Sequence, residues 1–288
     1  MLLDNKDIHT EEVKHWRGLH LLYFPMSSCS QKIRILLKEK HIAFTPHVIN
    51  LKKAEHMTPW FLGINARGVV PVLVDDGRVH IESNDILCHL DQAHASEQTS
   101  FLPKNEQEEI QAKTLLDLED KMHVHLRVIT MQYLVPSKLM RKSPQQLKAY
   151  SNGGDANDYR QKQVDWWQKF SSNGISQQQI HAAIHAFHQS FSILDDKLKS
   201  HKYLLGTDLS VVDISWFLTL HRLALAGYPM HLYPNLNRYY LNLLKRPHFR
   251  QTVSSGPFLL RLIAWVSRTS KRFFGPTLQK LYQAQFVH

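Results

Sequence analysis

The run Met26-Ser27-Ser28-Cys29-Ser30 sets three hydroxyls and a thiol where an apolar stretch, residues 18–24, gives way to helical spacing. Unsatisfied amides and the positive end of a helix dipole favour an anion at such a turn, a thiolate included. A serine hydroxyl there can donate to a bound sulfur and hold it ionised. Each unit of lowering of the thiol pKa needs about 1.4 kcal/mol, within reach of one charge-assisted hydrogen bond. The same serine, Ser27 or Ser28, would also serve as a plain helix N-cap, and the loop alone does not choose. Cys29 at a helix start is a nucleophile candidate in its own right. Lys32 rules out a C-x-x-C redox pair.

Three further segments could complete a ligand site. In Val69-Val70-Pro71-Val72 a proline opens a strand; with a cis bond, the Val70 backbone could turn outward and pair with a ligand backbone like an added strand. Glu82-Ser83 stands where a strand meets a helix: the helix start and the Ser83 hydroxyl suit a carboxylate, and Glu82 suits an ammonium, together reading the zwitterionic end of an amino acid. The alternative is an N-cap with an exposed acid. Lys53 and His56 can offer cationic or hydrogen-bonding groups to a second carboxylate.

The elements that would hold these residues alternate between strand and helix. Residues 18–24 and 44–49 read as strands, 30–40 as a helix, and 53–64 as a short helix interrupted at Pro59. Residues 72–74 and 79–81 flank the turn Asp76-Gly77 as a β-hairpin, and 83–94 closes the unit as a helix. The order βαβ, α, ββα predicts a thioredoxin-like α/β domain, a four-stranded mixed sheet with packed helices. Beyond Phe101-Leu102-Pro103 the chain reads as all-α: Ile180, Ile184, Phe187, Phe191, Leu194 and Leu198 form one apolar stripe. Ser210 and Asp213 form a capping box. Helix breaks fall at residues 152–155 and 171–174. The predicted organisation is a ligand-binding domain over 18–97, a helical domain over 104–256 and a basic amphipathic extension over 257–288.

With 288 residues and 43% hydrophobic content the chain can build two cored domains, which excludes a disordered protein. No apolar run reaches the roughly 20 residues of a membrane span, and the first residues lack the pattern of a signal peptide. Two cysteines make neither a disulfide scaffold nor a cysteine zinc site, so a reducing, cytoplasmic setting is expected. The net charge of +10 lies wholly after Asp213, where ten Lys/Arg stand with no acid. That block suits an anionic membrane surface or a solvated basic face; nucleic acid is not expected, because no reading module accompanies it. Arg261, Arg268 and Arg272 would share one side of a helix beside the apolar run 258–266, an interfacial pattern, or that helix packs back on the bundle. His181, His185 and His188 share a helix face but lack a carboxylate at matching spacing, so they read as a solvated face and no metal site is expected. Trp166-Trp167 and Tyr239-Tyr240 read as packing residues.

The runs SSCSQKIRILLKEKHI, VVPVL and IESNDIL, in this order and spacing, resemble the N-terminal domain of cytosolic glutathione transferases. SSCS before KIRIL is similar to the zeta class, and LSVVDISW resembles the capping box of the family's helical domain. EHMTPWFLGINARGVVPVL and TLHRLALAGYP resemble the ganglioside-induced differentiation-associated proteins and bacterial β-etherase-type transferases. The likeness covers residues 19–94 and 203–249. It implies a thiolate-stabilising role for Ser27, with Ser28 and Cys29 as alternates. It further implies glutathione contacts through His56 at the glycyl end, with Lys53 beside it as the cationic candidate read from the residues, Val70 and cis Pro71 at the cysteinyl unit, and Glu82 with Ser83 at the γ-glutamyl group. The expected activity is attack of the glutathione thiolate on a small hydrophobic electrophile by a homodimeric, detoxifying enzyme, with glutathione as co-substrate and no further cofactor. The alternatives are a glutathione-dependent isomerase or ether-cleaving enzyme on the same site, and a non-catalytic adaptor that touches anionic membrane through residues 257–288.

Overall fold

The computed structural model describes residues 1–95, 100–136, 140–152, 158–255, 262, 265–266, 269 and 276–286. The chain forms two units: Met1–Ala93 with Lys138–Gly174, and His94–Ser137 with Ile175–His288.

The first unit is built on four strands: β1 (Leu19–Tyr23), β2 (Thr45–Val48), β3 (Val72–Asp75) and β4 (Arg78–His80). Their order is β2-β1-β3-β4, with β1 and β2 parallel and the other pairs antiparallel. The consecutive apolar residues Val72, Leu73 and Val74 are fully buried, as expected of a strand covered on both faces. Helices α1 (Ser28–Glu39) and α3 (Ser83–Ala93) pack against each other. α1 buries Ile33, Leu36 and Leu37, the positions its spacing predicts. Asp76 and Gly77 both take positive φ, 47° and 82°, as the tight hairpin requires. Gly77 has no substitute, since a Cβ there would lie 2.2 Å from the Lys14 carbonyl oxygen.

The thioredoxin-like fold class is as the sequence predicts, with shifts at the edges. Pro59 does not interrupt a helix: a 3-10 turn, Glu55–Met57, precedes it, and it opens the four-residue α2 (Pro59–Leu62) at a position where no amide donor is needed. The expected boundaries, 18–97 and 104–256, differ from the observed units twice. Residues 1–17 belong to the first unit, because Ile8 and Val13 enter its core and the Leu3 amide donates to Val79 O at 2.9 Å. Helices α5 (Pro144–Asn152) and α6 (Asp158–Asn173) also cluster there. Tyr150 OH donates to Arg67 O at 2.6 Å, and Arg160 Nη2 donates to Ala66 O at 2.7 Å. Helical periodicity shows that a segment is helical, not which core it joins.

The second unit holds α4 (Glu106–Ile129), α7 (Gln177–Lys197), α8 (Val211–Ala226), α9 (Pro234–Lys245), α10 (Pro247–Val253) and α11 (Leu278–Phe286). α4 packs on α7 and α8, and the predicted α7 stripe, Ile180 through Leu198, is buried throughout. The capping box at Ser210 is present, and Asp213 there is fully buried. Tyr239 and Tyr240 are buried here, and Trp166 of the first unit stacks on Phe170, all as packing residues.

Of the α7 histidines that the sequence predicts as a solvated face, His185 is exposed, but His181 and His188 are engaged. His188 Nδ1 sits 2.8 Å from Tyr233 OH and 2.9 Å from Tyr282 OH, and His181 Nδ1 lies 3.3 Å from Gln285 Oε1. α11 lies over that face through Tyr282 and Phe286, aromatic residues too distant in sequence for spacing to connect. Residues 257–261 and the arginines 261, 268 and 272 of the expected basic helix lie outside the described residues. No helix of the described residues is long and apolar enough to cross a membrane.

Candidate functional site

Strand register brings the four predicted segments to one end of the sheet. β1 and β2 run parallel, with Tyr23 opposite Val48, so the loops after them, carrying Ser27 and carrying Lys53 and His56, leave at the same end. β3 is antiparallel to β1, with Val72 opposite Leu22, so its preceding loop with Val70-Pro71 begins there too. β4 returns with His80 opposite Leu73 and delivers Glu82-Ser83 to that end. The contact of Arg67 Nη1 with Glu82 Oε1 joins two of these loops directly.

Ser27 is the N-cap of α1: its Oγ accepts from the Ser30 amide at 3.3 Å. Its own hydroxyl hydrogen has no acceptor among the described residues, so capping and donation to a ligand are compatible. Ser28 is the first residue of α1, and Cys29 is half-buried with a free thiol. Ser30 is fully buried, its Oγ facing the Phe24 amide at 3.4 Å. The other thiol, Cys88, is pushed by burial up to about 11 and stays protonated.

The Val70–Pro71 bond is cis. Val70 precedes the first ladder pair of β3, and among the described residues none hydrogen-bonds to its amide or carbonyl. The loop before it is held from both sides: buried Asn65 donates from Nδ2 to Val69 O at 2.9 Å and accepts at Oδ1 from the Arg67 amide at 3.1 Å. Gly68 sits at φ 63°, and a Cβ there would lie 2.7 Å from Tyr150 Cε2 and 3.0 Å from the His56 carbonyl oxygen.

Glu82 also has positive φ, 64°, rare for a residue with a side chain; the turn aims its carboxylate at Arg67 while its carbonyl accepts the first α3 bond, from Ile86 N at 2.9 Å. Ser83 is buried at the first position of α3. Beside it, Asn84 Oδ1 accepts from the buried Lys32 ammonium at 3.1 Å.

Lys53 is exposed, its backbone amide donating to Asn50 Oδ1. His56 is buried, with Nδ1 unpartnered. Burial, reinforced by the Lys142 charge, holds its pKa down to about 3, so it is a neutral imidazole that can hydrogen-bond but brings no charge. Lys142 is buried as well, its Nζ 3.3 Å from Leu51 O and 5.3 Å from the Trp167 ring centroid.

Sequence reasoning missed Arg67, Lys142, Tyr150 and Arg160. Arg67 had a local signal, the turn-forming Asn65-Ala66-Arg67-Gly68 just before the proline. Tyr150 and Arg160 come from helices whose only legible property is their helicity, and Lys142 from the residues just before them.

Two family descriptions match the chain: "Glutathione S-transferase, N-terminal domain" over residues 26–93, and "Glutathione S-transferase, C-terminal domain" over residues 177–241. Glutathione S-transferase 1 of Dianthus caryophyllus is 39% identical over 74 residues, 26% of this chain and 34% of that protein. The aligned part thus spans about a third of that relative's length. Glutathione S-transferase TCHQD of Arabidopsis thaliana is 22% identical over 248 residues, 82% of this chain and 89% of that protein. Among solved structures, β-etherase LigF from Sphingobium sp. strain SYK-6 superposes with a TM-score of 0.71 at 22% identity, covering 82% of this chain and 98% of its own.

Proposed function

The chain belongs to the glutathione S-transferase superfamily, and from that premise we propose that it binds glutathione at the described sheet end and directs its thiolate onto a small hydrophobic electrophile. The observation that carries this reading is the unpaired Val70 peptide, bracketed by Ser27, His56 and the Arg67–Glu82 pair. An extended tripeptide has three parts to satisfy there. Its central cysteinyl unit would pair with Val70 beside Pro71, completing backbone hydrogen bonds as an added strand does. Its γ-glutamyl ammonium would meet Glu82, and its α-carboxylate would take the Ser83 hydroxyl and the start of α3. Arg67 would hold Glu82 in place and offer its remaining N–H groups to the same carboxylate. At the glycyl end, neutral His56 would donate a hydrogen bond and Lys53 would supply the positive charge.

The Ser27 hydroxyl, capping with its oxygen and donating with its hydrogen, would stabilise the thiolate; Ser28 and Cys29 are its alternates. In the reaction the sulfur lone pair forms a bond to the electrophilic carbon, and the displaced group leaves with that carbon's former bonding pair. Glutathione serves as co-substrate, with no further cofactor required by this chemistry. The same reading carries a homodimer and a cytoplasmic, detoxifying role; the proposed contact of the 257–288 extension with anionic membrane would fall to its residues before α11, since α11 packs on α7. Isomerisation and ether cleavage are alternative uses of the same nucleophile, and a non-catalytic adaptor would keep the fold alone.

Retention of the full chain on immobilised glutathione tests the binding half. Wild-type protein should be retained, and a folded Glu82→Ala/Ser83→Ala variant should pass through. Thioether formation with a halogenated aromatic, or release of phenol from an aryl ether, then separates conjugation from ether cleavage. A wild type that ignores the resin and turns over neither substrate is the adaptor.

A further inference from the structure

We propose that Asp75, His80 and His89 form a binding site for one divalent transition-metal ion of the zinc type. The residues come from β3, β4 and α3 of the first unit, and one donor atom from each lies within 4.8 Å of the other two. His89 Nε2 is 2.9 Å from Asp75 Oδ2, and the His80 and His89 rings stack with centroids 3.8 Å apart.

The feature that asks for a ligand is His80. It is 5% exposed, and its Nε2 is buried with no hydrogen-bond partner, a rare condition for an imidazole nitrogen. Asp75 and His89 side chains are each 26% exposed, which leaves the ion a way in.

Two imidazoles and one carboxylate are the donor set of a three-ligand zinc site, with bonds of about 2.0–2.2 Å and water in the fourth position. Calcium and magnesium need more oxygen donors than this cluster has. Tetrahedral donors stand about 3.4 Å apart by those bond lengths. The His89–Asp75 pair is closer than that and must open, and the stacked imidazoles must turn about their side-chain torsions for both to face one ion.

Other histidine clusters are engaged. Glu119 beside His123 accepts from Ser215 and Thr219 as well, and His188 is held by two tyrosines. No sequence motif marks the proposed site, because its spacing, four residues and then eight, becomes compact only through the hairpin and the turn into α3. A bound ion would tie β3 and β4 to the helix that starts at Ser83. The inference stands independently of the glutathione reading.

The test uses the full chain, stripped with chelator, titrated calorimetrically with zinc chloride and spectroscopically with cobalt(II) chloride. We expect one zinc per chain and a four-coordinate cobalt spectrum. His89→Gln and Asp75→Asn should each weaken zinc binding by about tenfold or more, with circular dichroism confirming an unchanged fold. His181→Gln/His185→Gln should leave affinity and stoichiometry as they are. His80 is buried, so His80→Asn adds support only if its melting curve matches wild type; the two more exposed positions decide the matter. Uptake that survives both of those changes, uptake lost with the α7 histidines, or no uptake in excess metal overturns the proposal.

Discussion

Arg67 and Glu82, fifteen residues apart in sequence, meet guanidinium to carboxylate at the end of the sheet, with Arg67 Cζ 5.1 Å from the centroid of the Tyr159 ring. The pair is partly exposed, 31% and 42% for the two side chains, so its contribution to stability is small, about 0–1 kcal/mol. Its proposed contribution to binding is larger, since hydrogen bonds to charged groups contribute about 1.5–3 kcal/mol. Arg67→Ala should therefore weaken glutathione binding about tenfold to a hundredfold while barely moving the melting temperature. Calorimetric titration beside a thermal melt checks this; equal affinity in the variant removes Arg67 from the site.

Ser27 has two roles that substitution can separate. Ala removes both the hydroxyl and the cap, costing about 1 kcal/mol of stability, whereas Gly removes the hydroxyl and caps nearly as well. Both variants should lose activity to the same degree, with the bound thiol titrating about one unit higher, for lack of one hydrogen bond worth about 1.4 kcal/mol. Only the Ala variant should melt noticeably lower. Thiolate absorbance against pH is the readout. Should Cys29→Ala be inactive and Ser27→Gly fully active, the thiolate is Cys29's concern.

His56 is held neutral by burial, its pKa lowered from 6.5 to about 3. Because the folded value is depressed, the stabilising contribution is complete above pH 6.5 and is lost as pH falls toward 3, where the unfolded chain takes up a proton that the folded one refuses. His56→Gln should flatten the dependence of melting temperature on pH across that window and leave it unchanged above it. Parallel curves for variant and wild type down to pH 3 would refute the assignment.

Asp213 in the second unit receives four donors. Its Oδ1 takes Leu204 N at 2.9 Å and Tyr239 OH at 2.7 Å; its Oδ2 takes Ser210 N at 2.7 Å and Ser210 Oγ at 2.6 Å. An asparagine offers one acceptor oxygen and aims its NH2 at two of those donors. Asp213→Asn should thus destabilise much as Asp213→Ala does, by about 1–3 kcal/mol for each buried donor left without an acceptor. Denaturant titration should place both variants together, and a mild Asn variant would contradict the geometry.

Local chemistry made much of this legible beforehand. Alternating and helical spacing locate β1, α1, the hairpin and α3, and Pro71 and Glu82-Ser83 stand at element boundaries where special backbone is expected. The α7 stripe and the Ser210–Asp213 cap are likewise short-range patterns. Contacts made by residues far apart in sequence leave no such trace. Lys142 just before α5, Tyr150 on α5 and Arg160 on α6 join the first unit from far downstream, Ile8 and Val13 enter the core from the first residues, and Tyr282 meets His188 across 94 residues. Asp75, His80 and His89 converge only once β3 and β4 have paired.

The first unit is assembled from two stretches of chain. Tyr150 and Arg160, the donors that satisfy the Ala66 and Arg67 carbonyls, lie 83 and 94 residues downstream of their partners. At ordinary rates of synthesis, about 5–20 residues per second, that delay is on the order of ten seconds. While the ribosome works through the interval, those two carbonyls in the loop before Val70 must rely on water. The loop before Val70 is therefore finished only once α5 and α6 have followed it off the ribosome.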